Sequence, residues 1–194
     1  MGRLRPTWLV TLAGVFILLH AAVAASADLR FIEVNRDDDL YTLRSVSWFA
    51  AAPESLYDVL TDYDQFLKFS SAIVESRNLS PDDKGRPEYY TRMEGCLLFW
   101  CQSFVRIGHL NLKPDYEITA ITDPERSNFK RARERWQLRA EDGGTLLIYE
   151  FEMIPDFWVP PVLGPFYIKR ALKSGGANAV NRIEAIALGK EPLP

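Results

Sequence analysis

Alternating apolar and polar positions mark the clearest element of the chain, the stretch TLLIYEFEM that begins at residue 145. Five residues share one face of this stretch: Thr145, Leu147, Tyr149, Phe151 and Met153. Glu150 and Glu152 take the other face, because successive side chains of a strand point to opposite sides of a sheet. The pattern predicts a half-buried β-strand.

Similar stretches recur after residue 71, and turn-forming residues separate them. The turn signals are residues 81–85 (PDDKG), 113–115 (KPD), 123–125 (DPE) and 142–144 (DGG), together with the apolar segment 97–100. These breaks predict six antiparallel strands. Upstream, β-favouring residues alternate loosely from Asp28 to Phe49, which predicts one further strand there.

Helical periodicity appears in two places. A first helix is predicted to start at Pro53, with Leu56, Val59, Leu60 and Tyr63 at helical spacing, and a second short helix over residues 64–71. The C-terminal segment that starts LGPFYIKRALKSGG has the same spacing, and two glycines in its middle permit close approach of a neighbour or a kink. It predicts a long closing helix.

These elements predict an α+β fold, in which a curved antiparallel sheet of about seven strands wraps around the long C-terminal helix. Two short helices follow the first strand. A sheet curved in this way encloses a cavity. No repeat or linker interrupts residues 28–194, so they are predicted to form one domain.

The N-terminal segment has the order of a secretory signal peptide. Arg3 and Arg5 precede an apolar run, and small residues follow up to Ala27. The run is shorter than the roughly 20 residues that a membrane-spanning helix needs, so cleavage is favoured over an uncleaved tether. Residues 1–27 are the predicted signal, with Ala24 as a second possible cleavage site, and the protein is predicted to be periplasmic or secreted.

Charge and composition exclude one class of partner. The chain has 194 residues, of which 47% are hydrophobic and 12% aromatic, and its net charge is −3. Loss of the two arginines of the signal would leave −5. A nucleic-acid-binding face must be basic, so no nucleic acid is predicted as a partner, and contact with a membrane would have to be mainly apolar.

The two cysteines of the chain, Cys96 and Cys101, flank four apolar residues. In an oxidising compartment an even number of cysteines predicts a disulfide. A continuous strand would hold the two Cα atoms about 16 Å apart, which is too far for a bridge, so the segment is predicted to turn back as a hairpin. The alternative is two reduced thiols in a plain strand.

Four segments resemble a known superfamily in their order and spacing. They are APESLYDVLTDYDQFLKF, RERWQL, DGGTLLIYEFEM and the closing helix, and together they extend over nearly all of residues 40–188. They resemble the START-related superfamily, which includes polyketide cyclases and coenzyme Q-binding proteins and has the helix-grip fold. The resemblance implies a hydrophobic ligand held between sheet and helix. The implied ligand-binding residues are Tyr89, Met93, Phe104, Arg106, Glu134, Trp136, Tyr149, Phe151 and Met153. For most apolar members, taken individually, plain core packing is the stronger alternative.

Two charged residues share the inward faces. Arg106 follows Phe104 by two positions, and Glu134 precedes Trp136 by two. An unpaired buried charge is costly, so the two either neutralise each other or line a wet cavity wall beside a ligand head group. The remaining alternative is a bulge that returns one of them to solvent.

Two apolar loops are predicted to form the rim of the cavity, because loops of the helix-grip fold lie near its opening. The first is the cysteine-flanked tip, and the second is the proline-rich segment before the closing helix. The rim residues are Leu97, Leu98, Phe99 and Trp100, and Phe157, Trp158, Val159 and Leu163. Exposed apolar loops with tryptophan suit a membrane interface, whereas the alternative is that both loops simply cover the core as a lid.

Catalytic signals are sparse. No phosphate-binding loop, dinucleotide fingerprint or nucleophile elbow is present, and His109 is the one histidine after the signal. A lone histidine on a strand is more often a surface or hydrogen-bonded residue than a general base. No cofactor and no metal site are predicted, and a non-enzymatic role is favoured.

Three functions stay open from the sequence alone. The first is extracytoplasmic carriage of a lipid, isoprenoid or quinone in the cavity. The second is a cyclase or dehydratase, with Tyr89, Tyr149, Arg106 and Glu134 as its reactive groups. The third is a module that binds a protein partner through its apolar loops.

Overall fold

The structure, a computed structural model, describes residues 27–97, 100–161 and 163–192. Its strands are β1 (Asp28–Asp37), β2 (Leu40–Phe49), β3 (Ile73–Leu79), β4 (Glu88–Leu97), β5 (Trp100–Lys113), β6 (Glu117–Thr122), β7 (Phe129–Glu141) and β8 (Gly144–Pro155). Its helices are α1 (Pro53–Thr61), α2 (Gly164–Ala187) and two 3₁₀ helices, Tyr63–Lys68 and Pro124–Arg126.

All eight strands form one antiparallel sheet in the order β1-β2-β8-β7-β6-β5-β4-β3. The hairpin of β1 and β2 therefore pairs with the last strand of the chain, and the sheet curves around α2. Helix α2 packs against β1, β2 and α1. This arrangement confirms the predicted helix-grip architecture.

The N-terminal strand is the main correction to the predicted elements. Asp28–Phe49 is a hairpin of two strands, so the sheet has eight strands instead of about seven. The chain reverses at Asp38, whose φ is 48°, a left-handed conformation that aspartate adopts more readily than most residues. Asp37 and Leu40 pair directly across the turn, so the loose alternation continues through it and hides the reversal.

The turn predicted at residues 142–144 is present, and its residue types show why turns of this kind can be predicted from sequence. Asp142 and Gly143 both have positive φ, 51° and 75°, and they form the two-residue loop between β7 and β8. Such loops need the left-handed region at both positions, which Asp-Gly supplies at low cost. The turn fixes the register that brings Tyr149 of β8 opposite Trp136 of β7.

Helix α2 confirms the predicted closing helix and runs continuously through Gly175 and Gly176. A Cβ atom built on Gly176 would lie 3.1 Å from Cδ1 of Ile32, so the missing side chain allows β1 to approach the helix. Near the end of α2, Glu184 Oε1 accepts a hydrogen bond of 2.9 Å from the backbone N–H of Ala50. This contact fixes the helix to the loop before α1.

Buried apolar residues form two clusters instead of one continuous core. The first surrounds α1, the 3₁₀ helix Tyr63–Lys68 and the end of α2. The second lies between β1, β2, β7 and β8 and the start of α2. Among the described residues, no helix combines the length and the apolar character needed to cross a bilayer.

Candidate ligand cavity

A cavity of about 410 Å³ lies between the sheet and α2, and residues of both apolar clusters line it. The volume falls within the range of about 300–1,000 Å³ that is typical of small-molecule sites. Its wall is mostly apolar and aromatic, with a few polar groups on β2, β4, β5, β7 and β8. The predicted hollow between sheet and helix is therefore present.

Strand alternation brings most of the predicted ligand-binding residues to this wall. The lining includes Met93, Phe104, Arg106, Glu134, Trp136, Tyr149, Phe151 and Met153. Their spacing of two along each strand places them on the inner face, where α2 faces the sheet.

Tyr89 lies outside the lining, contrary to its predicted place. Its side chain is 0% exposed and its ring stacks on that of Tyr63, with centroids 4.4 Å apart. Its hydroxyl shares a hydrogen bond of 3.0 Å with Thr122 Oγ1. Tyr63 therefore separates Tyr89 from the cavity, and Tyr89 supports the wall from behind.

Arg106 and Glu134 form a buried ion pair at the wall. Arg106 Nη1 donates to Glu134 Oε1 at 2.6 Å, and the two side chains are 7% and 9% exposed. Arg106 also donates to Thr122 Oγ1 and to the hydroxyl of Tyr89, both at 3.4 Å. The charges neutralise each other inside the protein, and no bulge returns either of them to solvent.

The pair also sets the electrostatics of this end of the cavity. Burial alone would lower the pKa of Arg106, but attraction to the adjacent Glu134 carboxylate, together with Tyr89 and Tyr63, outweighs burial and holds this pKa above its ordinary value. Burial, and then the negative charge of Glu134, raise the pKa of Tyr149 well above its ordinary value. Tyr149 is therefore a neutral phenol, stacked on Trp136 with ring centroids 5.3 Å apart.

Tyr63 and Thr91 are polar lining residues outside the predicted ligand-binding set, although the resemblance also implied that Thr91 faces inward with Tyr89 and Met93. The hydroxyl oxygens of both are buried and have no hydrogen-bond partner among the described residues. Burial, and then Glu134, raise the pKa of Tyr63 well above its ordinary value. In the sequence, Tyr63 was assigned only to a core position of the first helix. A buried phenol usually needs a hydrogen-bond partner, and this was the signal that could have identified Tyr63 as a polar lining residue.

The proline-rich segment borders the cavity where it opens. Phe157, Trp158 and Val159 belong to the lining, and Trp158 is nevertheless 60% exposed, so the cavity wall reaches the surface there. Phe157 contacts Phe104 with ring centroids 4.2 Å apart. Leu163 does not line the cavity and is 55% exposed beside it.

The cysteine-flanked hairpin borders the same cavity. Cys96 and Cys101 pair across β4 and β5 and form the predicted disulfide, with an S–S distance of 2.00 Å. Gly95 and Gln102, directly beside the bridge, line the cavity together with the proline-rich segment. Leu98 and Phe99 lie outside the described residues, and Leu97 and Trp100 are described only as paired strand ends.

His109 lies on β5 away from the cavity lining. Its Nε2 atom is 2.7 Å from Nη1 of Arg86, which also pairs with Asp82 at 2.6 Å. A guanidinium can only donate, so Nε2 accepts and His109 is neutral. Burial, and then the charge of Arg86, lower the pKa of His109. This histidine is held by its neighbours and does not face the cavity.

Acidification should therefore weaken the fold through His109. Because its folded-state pKa is depressed, the stabilising contribution is present above the unfolded-state pKa near 6.5 and is lost as pH falls through the folded-state value. In urea unfolding from pH 7 to pH 5, the wild type should lose more stability than His109→Gln, whose amide oxygen still accepts from Arg86. Parallel pH profiles of the two proteins would contradict this role.

Comparisons with known proteins agree with this architecture. A family model described as polyketide cyclase/dehydrase and lipid transport matches residues 49–174. A search of curated proteins found no match. Among solved structures, a START superfamily protein from Mycobacterium smegmatis is similar at a TM-score of 0.59 and 18% identity, with 76% of this chain and 97% of that chain covered.

Two further solved structures have the same fold. A STAR-related lipid transfer protein fragment from Xanthomonas axonopodis has a TM-score of 0.57 and 15% identity, covering 81% of this chain and 98% of that one. An aromatase/cyclase from Streptomyces sp. R1128 has a TM-score of 0.60 and 11% identity, covering 77% of this chain and 94% of that one. The family match extends over well over half of the chain and includes Tyr63, Arg106 and Glu134. The chain therefore belongs to the polyketide cyclase/dehydrase and lipid transport family.

Proposed function

We propose that this protein is an extracytoplasmic carrier that binds one hydrophobic small molecule, such as a lipid, isoprenoid or quinone, in the cavity between sheet and helix. The observation that carries the proposal is the cavity of about 410 Å³, whose wall is apolar and which reaches the surface beside exposed apolar side chains. The family description, which includes lipid transport, supports the same class of ligand.

Export is part of the proposal and rests on two features. The N-terminal order of arginines, an apolar run and small residues is that of a signal peptide, although residues 1–26 lie outside the described residues. The bridge between Cys96 and Cys101 is the kind of bond that persists in an oxidising compartment. A periplasmic or secreted location accounts for both.

Membrane docking is proposed for the surface beside the opening, which we call the entrance surface: Trp158, Leu163, Phe166 and the exposed cations at the start of α2. Leu163 and Phe166 are 55% and 70% exposed and lie close along the chain to the exposed Trp158, and exposed apolar side chains that are grouped indicate a contact surface. Lys169, Arg170 and Lys173 are exposed on the same part of α2. Apolar side chains beside cations favour the surface of an anionic lipid bilayer. The negative charge of the whole chain had predicted mainly apolar contact, whereas the entrance surface adds local positive charge.

A cyclase or dehydratase is the second candidate, because the family description also includes these enzymes and the cavity wall holds two neutral phenols, Tyr63 and Tyr149. The carrier is favoured because Arg106 and Glu134 bind each other and His109 lies outside the cavity. A module that binds a protein through the entrance surface is the third candidate.

Native mass spectrometry of the protein, purified from an oxidising compartment with its disulfide intact, tests the proposal. A carrier should retain an unmodified lipid-like molecule at a ratio of one per chain, which organic extraction then identifies. Release of a cyclised or dehydrated product from an added substrate would favour the enzyme instead. An empty cavity that takes up no apolar probe would contradict the carrier.

Filling the cavity should remove the bound molecule without unfolding the protein. Gly175 lines the cavity, and a Cβ atom built there would meet no atom of the described residues within 4 Å. Gly175→Leu should therefore lower the retained ligand at least tenfold, while the gain in helix propensity, about 0.8 kcal/mol, supports the fold. Ser174→Leu is the matched control, because Ser174 is exposed on the same turn and does not line the cavity. Equal ligand retention by both variants would contradict the assigned site.

A further inference from the structure

Two buried hydroxyl groups face the cavity and find no partner within the part of the chain that the structure describes. Tyr63 and Thr91 are 1% and 3% exposed, both line the cavity, and neither side-chain oxygen has a hydrogen-bond partner among the described residues. Burial of an unsatisfied hydroxyl costs free energy, and such groups are uncommon in native proteins. Two of them at one end of a ligand cavity indicate that the bound molecule supplies the partner.

Neither residue can turn its hydroxyl towards solvent. The ring of Tyr63 is stacked between Phe66 and Tyr89, with centroid distances of 3.9 Å and 4.4 Å. Thr91 is held in β4, where it is the cross-strand partner of Arg106 on β5. Both hydroxyls therefore stay at the polar end of the cavity, beside the ion pair.

This end of the cavity is polar but carries no net charge. The positive charge of Arg106 is already neutralised by Glu134 at 2.6 Å, and two further donors of Arg106, Nε and Nη2, are directed at Thr122 and Tyr89. Tyr63 and Tyr149 are neutral phenols, because burial raises the pKa of each well above its ordinary value. A carboxylate, phosphate or ammonium group here would be buried without a free counter-charge, which is far more costly than burial of a neutral group.

We propose that the ligand places an uncharged oxygen, a hydroxyl or a carbonyl, at this end of the cavity, where Tyr63 Oη and Thr91 Oγ1 bind it. The inference rests on the proposed carrier function and narrows its ligand class to apolar molecules with an alcohol, aldehyde or ketone end, including quinones. Molecules with a charged group at that end are excluded from this binding mode.

Four probes that share one isoprenoid skeleton test the inference: farnesol, farnesal, farnesoic acid and farnesene. Affinities are measured by titration of the wild type at pH 8, where the acid is ionised. Farnesol and farnesal should bind about tenfold more tightly than farnesene, since a neutral hydrogen bond is worth about that factor. Farnesoic acid should bind more weakly than farnesol.

Tyr63→Phe separates hydrogen bonding from packing, because it keeps the stacked ring and removes only the hydroxyl. It should lower the affinity for farnesol by about 3- to 10-fold and leave the affinity for farnesene unchanged. Thr91→Val should act in the same direction. Tyr57→Phe is the control, since Tyr57 is buried in α1 but does not line the cavity, and it should change neither affinity. Thermal unfolding of each variant confirms that it folds.

The outcomes separate this inference from the function on which it rests. If farnesene binds as tightly as farnesol, if farnesoic acid binds best, or if Tyr63→Phe weakens no probe selectively, the inference is wrong while a carrier of apolar molecules stands. If none of the four probes binds the wild type, and none displaces a co-purified ligand, the carrier function fails and the inference fails with it.

Discussion

Replacement of Arg106 by methionine should lower the free energy of unfolding by about 3–5 kcal/mol, the largest stability effect that we expect from a single substitution in this protein. The variant leaves the Glu134 carboxylate buried beside an apolar cavity without its counter-charge. It also removes the donors directed at Thr122 and Tyr89. Urea unfolding at pH 7, followed by far-UV circular dichroism, measures the difference.

A double variant shows whether charge is the cause. Arg106→Met with Glu134→Leu removes both charges and keeps apolar volume, so it should recover most of the lost stability. Arg44→Met is the surface control, because its ion pair with Glu150 is long, at 3.8 Å, and both side chains are about half exposed. It should have a much smaller effect. A single variant as stable as the wild type would indicate that water reaches the pair and that the site is not dry.

The buried pair also bears on function, since two charges that satisfy each other are poor reagents. Arg106 Nη1 donates to Glu134 Oε1 at 2.6 Å, so each charge is already opposed, and protonation of Glu134 would remove the counter-charge of Arg106. Arg106 instead donates to Thr122 and Tyr89 and so orients both side chains. The ring of Tyr89 in turn stacks on the ring of Tyr63. A fixed, neutral, polar end in an apolar cavity suits selective binding better than turnover.

Much of this architecture could be predicted from local pattern. Period-two alternation showed that Tyr149 shares one face of β8 with Leu147 and Phe151, and the Asp142-Gly143 turn fixes its register with β7. The resemblance to the START-related superfamily then indicated that this face and Trp136 look inward. The cost of an unpaired buried charge made the pairing of Arg106 with Glu134 one of three alternatives, and the structure shows that this alternative is correct. These features depend on neighbours in sequence or on a strong physical constraint.

Other features depend on tertiary contacts that the sequence does not display. The reversal at Asp38 was missed because β1 and β2 keep the same loose alternation on both sides of it. Tyr89 was placed in the cavity because its strand face is correct, but the 3₁₀ helix carries Tyr63 in front of it. The open hydroxyls of Tyr63 and Thr91 could not be anticipated, since a missing partner is visible only when every neighbour is in place.

The entrance surface should govern attachment to membranes independently of ligand binding. Leu163→Ser with Phe166→Ser removes two exposed apolar side chains that do not line the cavity. If each enters the bilayer interface, their burial is worth about 1.5–3 kcal/mol apiece, so the double variant should bind vesicles about 100-fold or more weakly. Flotation with phosphatidylcholine vesicles that contain phosphatidylglycerol measures this loss.

A matched control surface lies at the end of β5 opposite the disulfide. Leu112→Ser with Tyr116→Ser removes two side chains of similar size that are 36% and 47% exposed, near the β5–β6 turn and far along the strand from the disulfide. It should leave flotation unchanged. Added salt should weaken the binding of the wild type to these vesicles. Lys169, Arg170 and Lys173 contribute by attraction to anionic lipid, and salt screens this attraction. Equal flotation of the two double variants would show that the entrance surface does not dock on lipid.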